Sequence, residues 1–282
     1  MNVLETIVAA KKQEVSRRKK TRPLAELEQQ PLFHRPVLSA RQALAAAAST
    51  GIIAEFKRKS PSKGVINDRV GVEQTTVGYV EAGAACLSVL TDEPFFGGTL
   101  TDLVAARQVN PSTPLLRKDF VIDTYQIAEA RSAGADFILL IAACLQPTQV
   151  EEFSQYAHQL GLEVLLEVHD NHELESHLTG SVDLVGVNNR SLKTFITDIQ
   201  VSHRLVSQIP AQYVRVSESG LQHPQTIFDL RQAGYQGFLI GETFMKTQSP
   251  PTALRELVRE LSRLNTSSQT PIYDESESMR NA

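Results

Sequence analysis

The stretch GIIAEFKRKSPSKG at residues 51–64 introduces the pattern of this sequence, a short apolar run that ends abruptly in charge. Similar runs recur along the chain. They are GIIAEF (51–56), CLSVL (86–90), PLLRKD (114–119), DFILLI (136–141), LEVLLEV (162–168), VDLVGVN (182–188), YVRVSES (213–219) and GFLIGE (237–242). Amphipathic stretches of helical length lie between them, at 74–82, 125–133, 148–160 and 224–233. Strands that alternate with helices predict a parallel sheet, because each parallel crossover needs a long connection.

The number of strand and helix units predicts how this sheet is arranged. Eight units favour an α/β fold of the closed (β/α)8 (TIM) barrel type over an open doubly wound sheet. An Ala-Gly pair precedes several of the runs, at 82–83, 133–134 and 233–234. Glycine tolerates a positive φ at the end of a helix, so these pairs are expected to mark helix C-termini.

The two ends of the chain differ from this repeating part. Residues 1–50 are predicted to form an N-terminal helical extension, because Leu4, Ile7, Val8 and Val15 recur near helical spacing and 38–48 is rich in alanine and leucine. Residues 51–264 would form the catalytic barrel. Residues 265–282 are polar and acidic with few large apolar groups, so we expect a flexible tail.

Composition excludes several classes of protein. The formal net charge of -4 provides no basic excess for nucleic-acid binding. No apolar stretch approaches the length of about 18 residues expected of a membrane span, and the charged N-terminus does not resemble a signal peptide. Cys86 and Cys144 stand in apolar surroundings, which predicts buried thiols in a reducing, cytoplasmic compartment.

Charged and polar residues follow most of the apolar runs. In a (β/α)8 barrel the active site forms at the carboxyl ends of the strands, so these side chains should meet on one rim. They are Glu55, Lys57, Lys118, Glu167, Asn188, Arg190 and Glu218. Because alternate residues of a strand share a face, Glu55 and Lys57 should point the same way. Lysines and carboxylates gathered on one rim predict an active site.

Glycines follow the last two runs, at Gly220 and Gly241. Barrels often bind phosphate at these two loops, where backbone N–H groups face the anion and glycine allows close approach. The histidines, by contrast, do not predict a metal site: His169 and His172 lie three residues apart, but no third ligand follows in a matching context. The sequence therefore predicts a phosphorylated small-molecule substrate and no metal.

Seven motifs resemble those of indole-3-glycerol phosphate synthases, in that family's order. They are IIAEFKRKSPSKG (52–64), LSVLTDEPFFGG (87–98), LLRKDF (115–120), LEVLLEVHD (162–170), GVNNRSL (186–192), SESGL (217–221) and FLIGETFM (238–245). The opening helix, VLETIVAAKKQEV (3–15), is similar to the N-terminal extension of the same family, which packs over the mouth of the barrel. The resemblance spans residues 51 to about 247 and leaves the C-terminal tail without a counterpart.

This resemblance implies a reaction on 1-(2-carboxyphenylamino)-1-deoxyribulose 5-phosphate. The aromatic ring closes onto the ketone carbon, CO2 leaves, and water is eliminated to give indole-3-glycerol phosphate. A cationic acid can protonate the carbonyl oxygen during ring closure, and a second acid/base pair can assist dehydration. No metal, cofactor or redox step is required.

The resemblance also implies roles for individual residues. Lys118 would be the general acid for ring closure, with Glu167 beside it, while Glu55 and Lys57 would serve later proton transfers. The two lysines could exchange these roles. Asn188 and Arg190 would bind the anthranilate end or order the carboxylates. The remaining predicted substrate contacts are Phe96, Phe120 and Leu139 around the aromatic ring, Leu192 elsewhere on the substrate, and Ser60, Ser219, Gly220, Gly241 and Glu242 around the phosphate, the last two through their backbone.

Two other functions fit the same fold. A phosphoribosyl isomerase would share the barrel and the phosphate site, but its chemistry is typically run by a carboxylic acid with a cysteine or second aspartate, whereas lysines dominate this rim. A non-catalytic barrel used as a binding scaffold should lack charge at one or more strand ends. We expect a monomer or weak homo-oligomer with neither a nucleic-acid nor a membrane partner.

Overall fold

The barrel predicted from the sequence is present. In residues 3–192 and 194–267, which the computed structural model describes, eight parallel strands close into a ring in sequence order, with the last strand pairing with the first. The strands are β1 Ile52–Phe56, β2 Cys86–Leu90, β3 Leu115–Lys118, β4 Phe137–Ile141, β5 Glu163–Val168, β6 Leu184–Asn188, β7 Val214–Glu218 and β8 Gly237–Ile240. The fold is therefore a (β/α)8 barrel preceded by helical segments.

The helices occupy the stretches between the strands. They are α1 Val3–Thr21, α2 Leu24–Glu28, α3 Ala40–Ala45, α4 Val72–Glu81, α5 Glu93–Phe96, α6 Leu100–Val109, α7 Thr124–Ser132, α8 Pro147–Gln159, α9 Asn171–His177, α10 Gln200–Leu205, α11 Pro224–Ala233, α12 Glu242–Met245 and α13 Pro250–Ser267. Short 3-10 turns span Pro31–His34, Ala142–Cys144 and Val206–Gln208, and Lys59–Ser60 pairs with Gly64–Val65 in the loop after β1. Gly83, Gly134 and Gly234 adopt positive φ after α4, α7 and α11, as the Ala-Gly pairs predict.

Two apolar cores result from the alternation of side chains along the strands. Leu116 and Leu165 belong to the core inside the barrel. Leu115 and Leu166, their neighbours along the chain, belong to the core between the strands and the helices. This period of two decides which residues point into the barrel. Lys118 follows Leu116 by two positions, so it occupies the inner face at the carboxyl-terminal rim.

The N-terminal extension contacts both ends of the barrel. Ile7 of α1 packs into the inner core together with Phe120 at the mouth, while Ala40 and Leu44 of α3 join the same core. The helix predicted across 38–48 is shorter than expected and spans only Ala40–Ala45. It begins where the Ser39 hydroxyl accepts a hydrogen bond from the backbone N–H of Gln42, a typical N-cap.

Cys86 is buried, but Cys144 is only half-buried, because it follows β4 in a turn at the rim instead of continuing the strand.

The last helix, α13, ends at Ser267, so residues 265–267 continue a helix, and the rest of the predicted tail lies outside the described residues. None of the helices in the described part is long and apolar enough to cross a membrane.

Candidate active site

An ammonium group held between two carboxylates occupies the centre of the rim. Lys118 Nζ, at the end of β3, lies 3.2 Å from Glu167 Oε2 at the end of β5. It lies 3.7 Å from Glu218 Oε2 at the end of β7. The lysine side chain is 15% exposed and both carboxylates are almost fully buried. An inward lysine is costly without a charged partner, and here two partners approach from different strands.

The surroundings separate the pKa values of these three groups. Burial lowers the pKa of Lys118, but the charges of Glu167, Glu218 and Glu55 outweigh it and raise that pKa above its ordinary value. Burial raises the pKa of Glu167, yet Lys118 and His169 bring it below the usual value. Burial, together with the nearby charges of Glu167 and Glu55, raises the pKa of Glu218 to about 8 despite Lys118. At neutral pH the cluster therefore holds an ammonium, a carboxylate and a protonated carboxylic acid.

A second cation–carboxylate pair lies at the end of β1. Lys57 Nζ is 2.6 Å from Glu55 Oε1, as expected for residues that share a face of the strand. The carboxylate is buried, while the lysine is partly open to the cavity. Gly241, just after β8, leaves the space for this carboxylate, because a side chain there would overlap Glu55.

Arg190 links three of the loops on the rim. Its backbone N–H donates to Asn188 Oδ1 at 3.0 Å, and its guanidinium donates to the Ser62 hydroxyl at 3.0 Å. The same guanidinium donates to Glu242 Oε2 at 2.9 Å. Burial raises the pKa of Glu242, but Arg190 outweighs that effect and keeps it lowered, so the carboxylate is ionised at neutral pH. The loops after β1, β6 and β8 are therefore held together by one charged side chain.

The main cavity opens above Lys118 and has a volume of about 130 Å³. On one side the Phe96 and Phe120 rings lie 5.9 Å apart in a tilted arrangement. Its lining includes the predicted residues Glu55, Lys57, Ser60, Phe96, Lys118, Phe120, Leu139, Glu167, Asn188, Arg190, Leu192 and Ser219. Val3, Leu4 and Ile7 of α1 line it as well. An apolar slot thus adjoins the ionisable cluster, with the N-terminal extension as part of its wall.

A smaller cavity adjoins it at the ends of β7 and β8, and we call it the β7–β8 cavity. Its lining includes Ser219, Gly220, Gly241 and Glu242, which the sequence assigns to the phosphate, together with Glu55, Lys57, Arg190 and Lys246. Ser219 has a φ of 67° and Gly220 a φ of 76°. A left-handed conformation is costly for serine, and such strain concentrates at functional sites. Turns of this kind expose successive backbone N–H groups to an anion.

The glycine pair at 97–98, after two phenylalanines, predicts a mobile loop with aromatic residues, whereas in the structure Phe96 lies on a short helix. The Asp92 carboxylate accepts from the backbone N–H of Phe95 at 2.9 Å and starts helix α5. Gly97 ends the helix in the left-handed conformation. A capped turn fixes the direction of the aromatic ring, whereas an open loop would not.

Sequence reasoning missed the roles of Glu218 and Gly186. The sequence places Glu218 on the rim but gives it no individual role, although β6 and β7 bring it opposite Asn188. Gly186 lies on the inner face of β6, beside Glu167 on β5. A side chain at this position would overlap Glu218 Oε1 and lie 3.2 Å from Leu165 Cδ1. A glycine inside a strand, two residues before a polar strand end, is the signal that could have found it.

The variant Gly186→Ala tests whether the space that Gly186 leaves for the Glu218 carboxylate is needed for activity. The added methyl group meets the far end of a flexible carboxylate, so we expect Glu218 to move while the strand stays in place. A displacement near 1 Å can cost about a hundredfold in rate, and we expect kcat to fall by about tenfold or more. Thermal unfolding should change little. Gly180→Ala, at an exposed glycine with open space around it, is the matched control. Equal kcat for both variants would contradict the role of Gly186.

Comparison with known proteins extends this description. A closed parallel barrel with lysines and glutamates gathered on its carboxyl-terminal rim has the architecture of a (β/α)8-barrel enzyme. The model of one family, described as indole-3-glycerol phosphate synthase, matches residues 4–257. A relative of that name from Bacteroides thetaiotaomicron is 45% identical over 258 residues, covering 92% of this chain and 98% of the relative. Another from Burkholderia vietnamiensis is 43% identical, covering 91% and 98%. The chain belongs to the indole-3-glycerol phosphate synthase family, as its motifs indicated.

Solved structures with much lower sequence identity share the fold. The 3-hexulose-6-phosphate synthase of Salmonella typhimurium has a TM-score of 0.59 at 12% identity, covering 76% of this chain and 99% of the other. A mutant tryptophan synthase α-subunit from Pyrococcus furiosus has a TM-score of 0.54 at 14% identity, covering 76% and 98%. These likenesses concern the barrel alone.

Proposed function

We propose that the chain converts 1-(2-carboxyphenylamino)-1-deoxyribulose 5-phosphate into indole-3-glycerol phosphate, CO2 and water. The family to which it belongs supports this reaction. The observation that carries the proposal is Lys118, held between Glu167 and Glu218 beside an apolar slot and near the β7–β8 cavity, where Lys246 adds positive charge. An acid, an aromatic slot and an anion site are what this substrate requires.

Lys118 would act first, during ring closure. The ring carbon that carries the carboxylate bonds to the ketone carbon, and the ketone oxygen takes a proton from Lys118 to become a hydroxyl. The bond to the carboxylate then breaks, CO2 leaves, and its electron pair returns to the ring. The raised pKa of Lys118 keeps the amine protonated at neutral pH before each turnover. Glu167 and Glu218 lie close enough to return the proton it has given away.

Glu55 and Lys57 would act in the dehydration. A second proton converts the hydroxyl into departing water, while a base removes a proton from the adjacent carbon to complete the indole. Lys57 and Glu55, at 2.6 Å from one another, form an acid and base pair of the kind this step needs. In this scheme the substrate gains two protons and loses one, and the carboxylate leaves as CO2. Each turnover therefore takes up one proton from solvent.

The remaining predicted residues would bind and orient the substrate. Phe96, Phe120, Leu139 and Leu192 would surround the aromatic ring. Asn188 and Arg190 would meet the anthranilate carboxylate, with Ser60 nearby. The phosphate would lie against Ser219, Gly220, Gly241 and Glu242, where Lys246 adds positive charge. Because Glu242 is itself an anion paired with Arg190, its contribution would come from the backbone.

Absorbance provides a direct test of the reaction. We expect the purified protein to generate an indole chromophore from the anilino-ribulose phosphate without any added metal or cofactor. The dephosphorylated substrate is the matched control, and its kcat/KM should be lower by at least about a hundredfold, because charge-assisted hydrogen bonds to the anion would be lost. A protein that forms no indole would contradict the proposed reaction. Equal kcat/KM for the two substrates would contradict only the phosphate site.

A cytoplasmic, monomeric or weakly homo-oligomeric enzyme is the form we propose for the protein. Two free cysteines, one of them buried in the barrel, suit a reducing compartment. The exposed large apolar side chains of the described residues are Val3, Leu24, Val65, Val109 and Ile196. They lie on separate segments of the chain, which supports the absence of a large apolar interface.

A further inference from the structure

His169 contacts Glu167 on the side away from Lys118 and has no role in the proposed ring closure or dehydration. It follows β5, and its side chain is 11% exposed. Its Nε2 lies 3.4 Å from Glu167 Oε1, and its Nδ1 lies 3.1 Å from Glu173 Oε2 on α9. The backbone N–H of His169 also donates to that Glu173 oxygen, at 2.8 Å. The imidazole is thus fixed between a carboxylate of the active site and a carboxylate outside it.

The contacts of the two ring nitrogens are unequal. Nδ1 is within hydrogen-bond distance of Glu173, whereas buried Nε2 has no hydrogen-bond partner among the described residues. Its neighbour at 3.4 Å, Glu167, is an acceptor slightly beyond normal hydrogen-bond reach. A small movement of either side chain would close this gap.

A second cavity, which we call the side cavity, lies on the outer side of His169. It has a volume of about 680 Å³, and its lining includes His169, Glu173, Cys144 and Asp198. Asn188 and Leu192 line both this cavity and the main one. When substrate fills the main cavity, water can still reach His169 from the side cavity. Glu167, at 2% exposed, lines the main cavity and has no comparable contact with solvent.

The proposed reaction requires a route of this kind. Each turnover takes up one proton, and the ionisable groups nearest to Lys118 are buried beneath the substrate. We propose that His169 is a positioning residue that orients Glu167 and returns a proton to it from the side cavity. This inference rests on the proposed function. The proton on Nε2 passes to Glu167 Oε1, which leaves a neutral imidazole with its other proton on Nδ1 against Glu173. The ring then rotates so that Nε2 faces the side cavity, where it takes a proton from a hydronium ion, and rotates back to Glu167, so the proton comes from solvent.

The charges around His169 suit this task. Burial lowers its pKa, but Glu173, Glu167 and Glu218 outweigh burial and raise the pKa above its ordinary value, which favours the protonated ring. Among the described residues, the other titratable groups that line the side cavity are Glu5 of α1, Cys144 after β4, Asp170 and Asp198. Burial and the nearby carboxylates raise the pKa of Cys144 to about 12, so the thiol does not compete as an anion.

Kinetics of His169→Ala test the proposal, with His172→Ala as the matched control on an exposed position of α9. We expect His169→Ala to lower kcat about tenfold with KM changed less than about twofold, because proton return slows while binding is preserved. The unmutated enzyme should lose activity at alkaline pH as His169 loses its proton. The pH profile of the His169→Ala variant should lack this loss of activity. Added imidazole should restore part of kcat in His169→Ala alone. Indistinguishable kcat and pH profiles for the two variants would overturn the proposal.

A second measurement does not depend on turnover or on the folding of His169→Ala. NMR titration of the intact protein should report a His169 pKa that falls in Glu167→Gln, because an attractive charge is removed. An unchanged His169 pKa would mean that the two side chains are not coupled, and the relay would be wrong. If the unmutated protein forms no indole, the proposed function fails, while the titration still reports whether His169 and Glu167 interact.

Discussion

Replacing Lys118 with methionine is expected to lower kcat by at least about a hundredfold, since a positioned acid contributes roughly 10²–10⁴ in rate. Methionine keeps the approximate length of the side chain and removes only its charge and its protons. Substrate affinity should change less than kcat, because the aromatic slot and the β7–β8 cavity remain. Steady-state kinetics will separate the two effects.

The fold should survive this change because the cluster can adjust its protonation. Glu218 already has a pKa raised to about 8, so without Lys118 it can remain protonated and share that proton with Glu167. The buried charge left behind is one carboxylate beside a neutral acid. Lys12→Met, at an exposed position of α1, is the matched control for losing a lysine. A Lys118→Met enzyme that melts early but turns over normally would show that Lys118 is a structural ion-pair partner.

The barrel and its inner rim could be predicted because they depend on two simple periodicities. Alternating strands and helices predict the parallel ring, and a period of two separates inward Lys118 from outward Arg117. The structure has Arg117 fully buried on the outer side, bonded to Asp119 and Glu129. Lys118, the next residue, faces the cavity. Local patterns are sufficient here because a closed barrel leaves a strand residue only two directions.

The protonation states of the rim residues and the space that Gly186 leaves for Glu218 could not be predicted in the same way. That Glu218 is the protonated member of the cluster follows from burial and from distances to side chains on other strands, which no local pattern contains. The space at Gly186 exists only because β6 lies beside β7. The same limit applies to α5. The two glycines at 97–98 predict a loop, but the Asp92 carboxylate caps a helix just before them.

Lys11 is another feature that only the assembled structure reveals. It was predicted to lie on the N-terminal helix, with no role assigned. Its side chain is 1% exposed, and Nζ lies 3.0 Å from Asp92 Oδ2 and 2.9 Å from Asp119 Oδ1. It also pairs with Glu14 of its own helix at 3.0 Å. Asp92 caps the helix that carries Phe96, and Asp119 directly precedes Phe120. One ammonium group therefore connects the extension to both walls of the aromatic slot.

We expect Lys11→Met to destabilise the protein by about 3–5 kcal/mol, because removing one partner of a buried ion pair leaves the other charge uncompensated. Asp119 retains Arg117, so the larger penalty should fall on Asp92 and on the docking of α1. The melting temperature should drop by about 10 °C on the scale usual for a domain of this size. Below that temperature, KM should rise more than kcat falls, since the aromatic slot loosens while Lys118 keeps its partners.

Two further variants test whether the loss of the buried ion pairs of Lys11 causes the lower stability. Lys12→Met, one residue along the same helix but exposed, should melt like the unmutated protein. The double variant Lys11→Met with Asp92→Asn should recover part of the lost stability, because the unpaired carboxylate is then absent, while the hydrogen bond that caps α5 can persist through the amide oxygen. If Lys11→Met unfolds at the same temperature as Lys12→Met and keeps its KM, the buried cluster does not hold the extension to the mouth of the barrel.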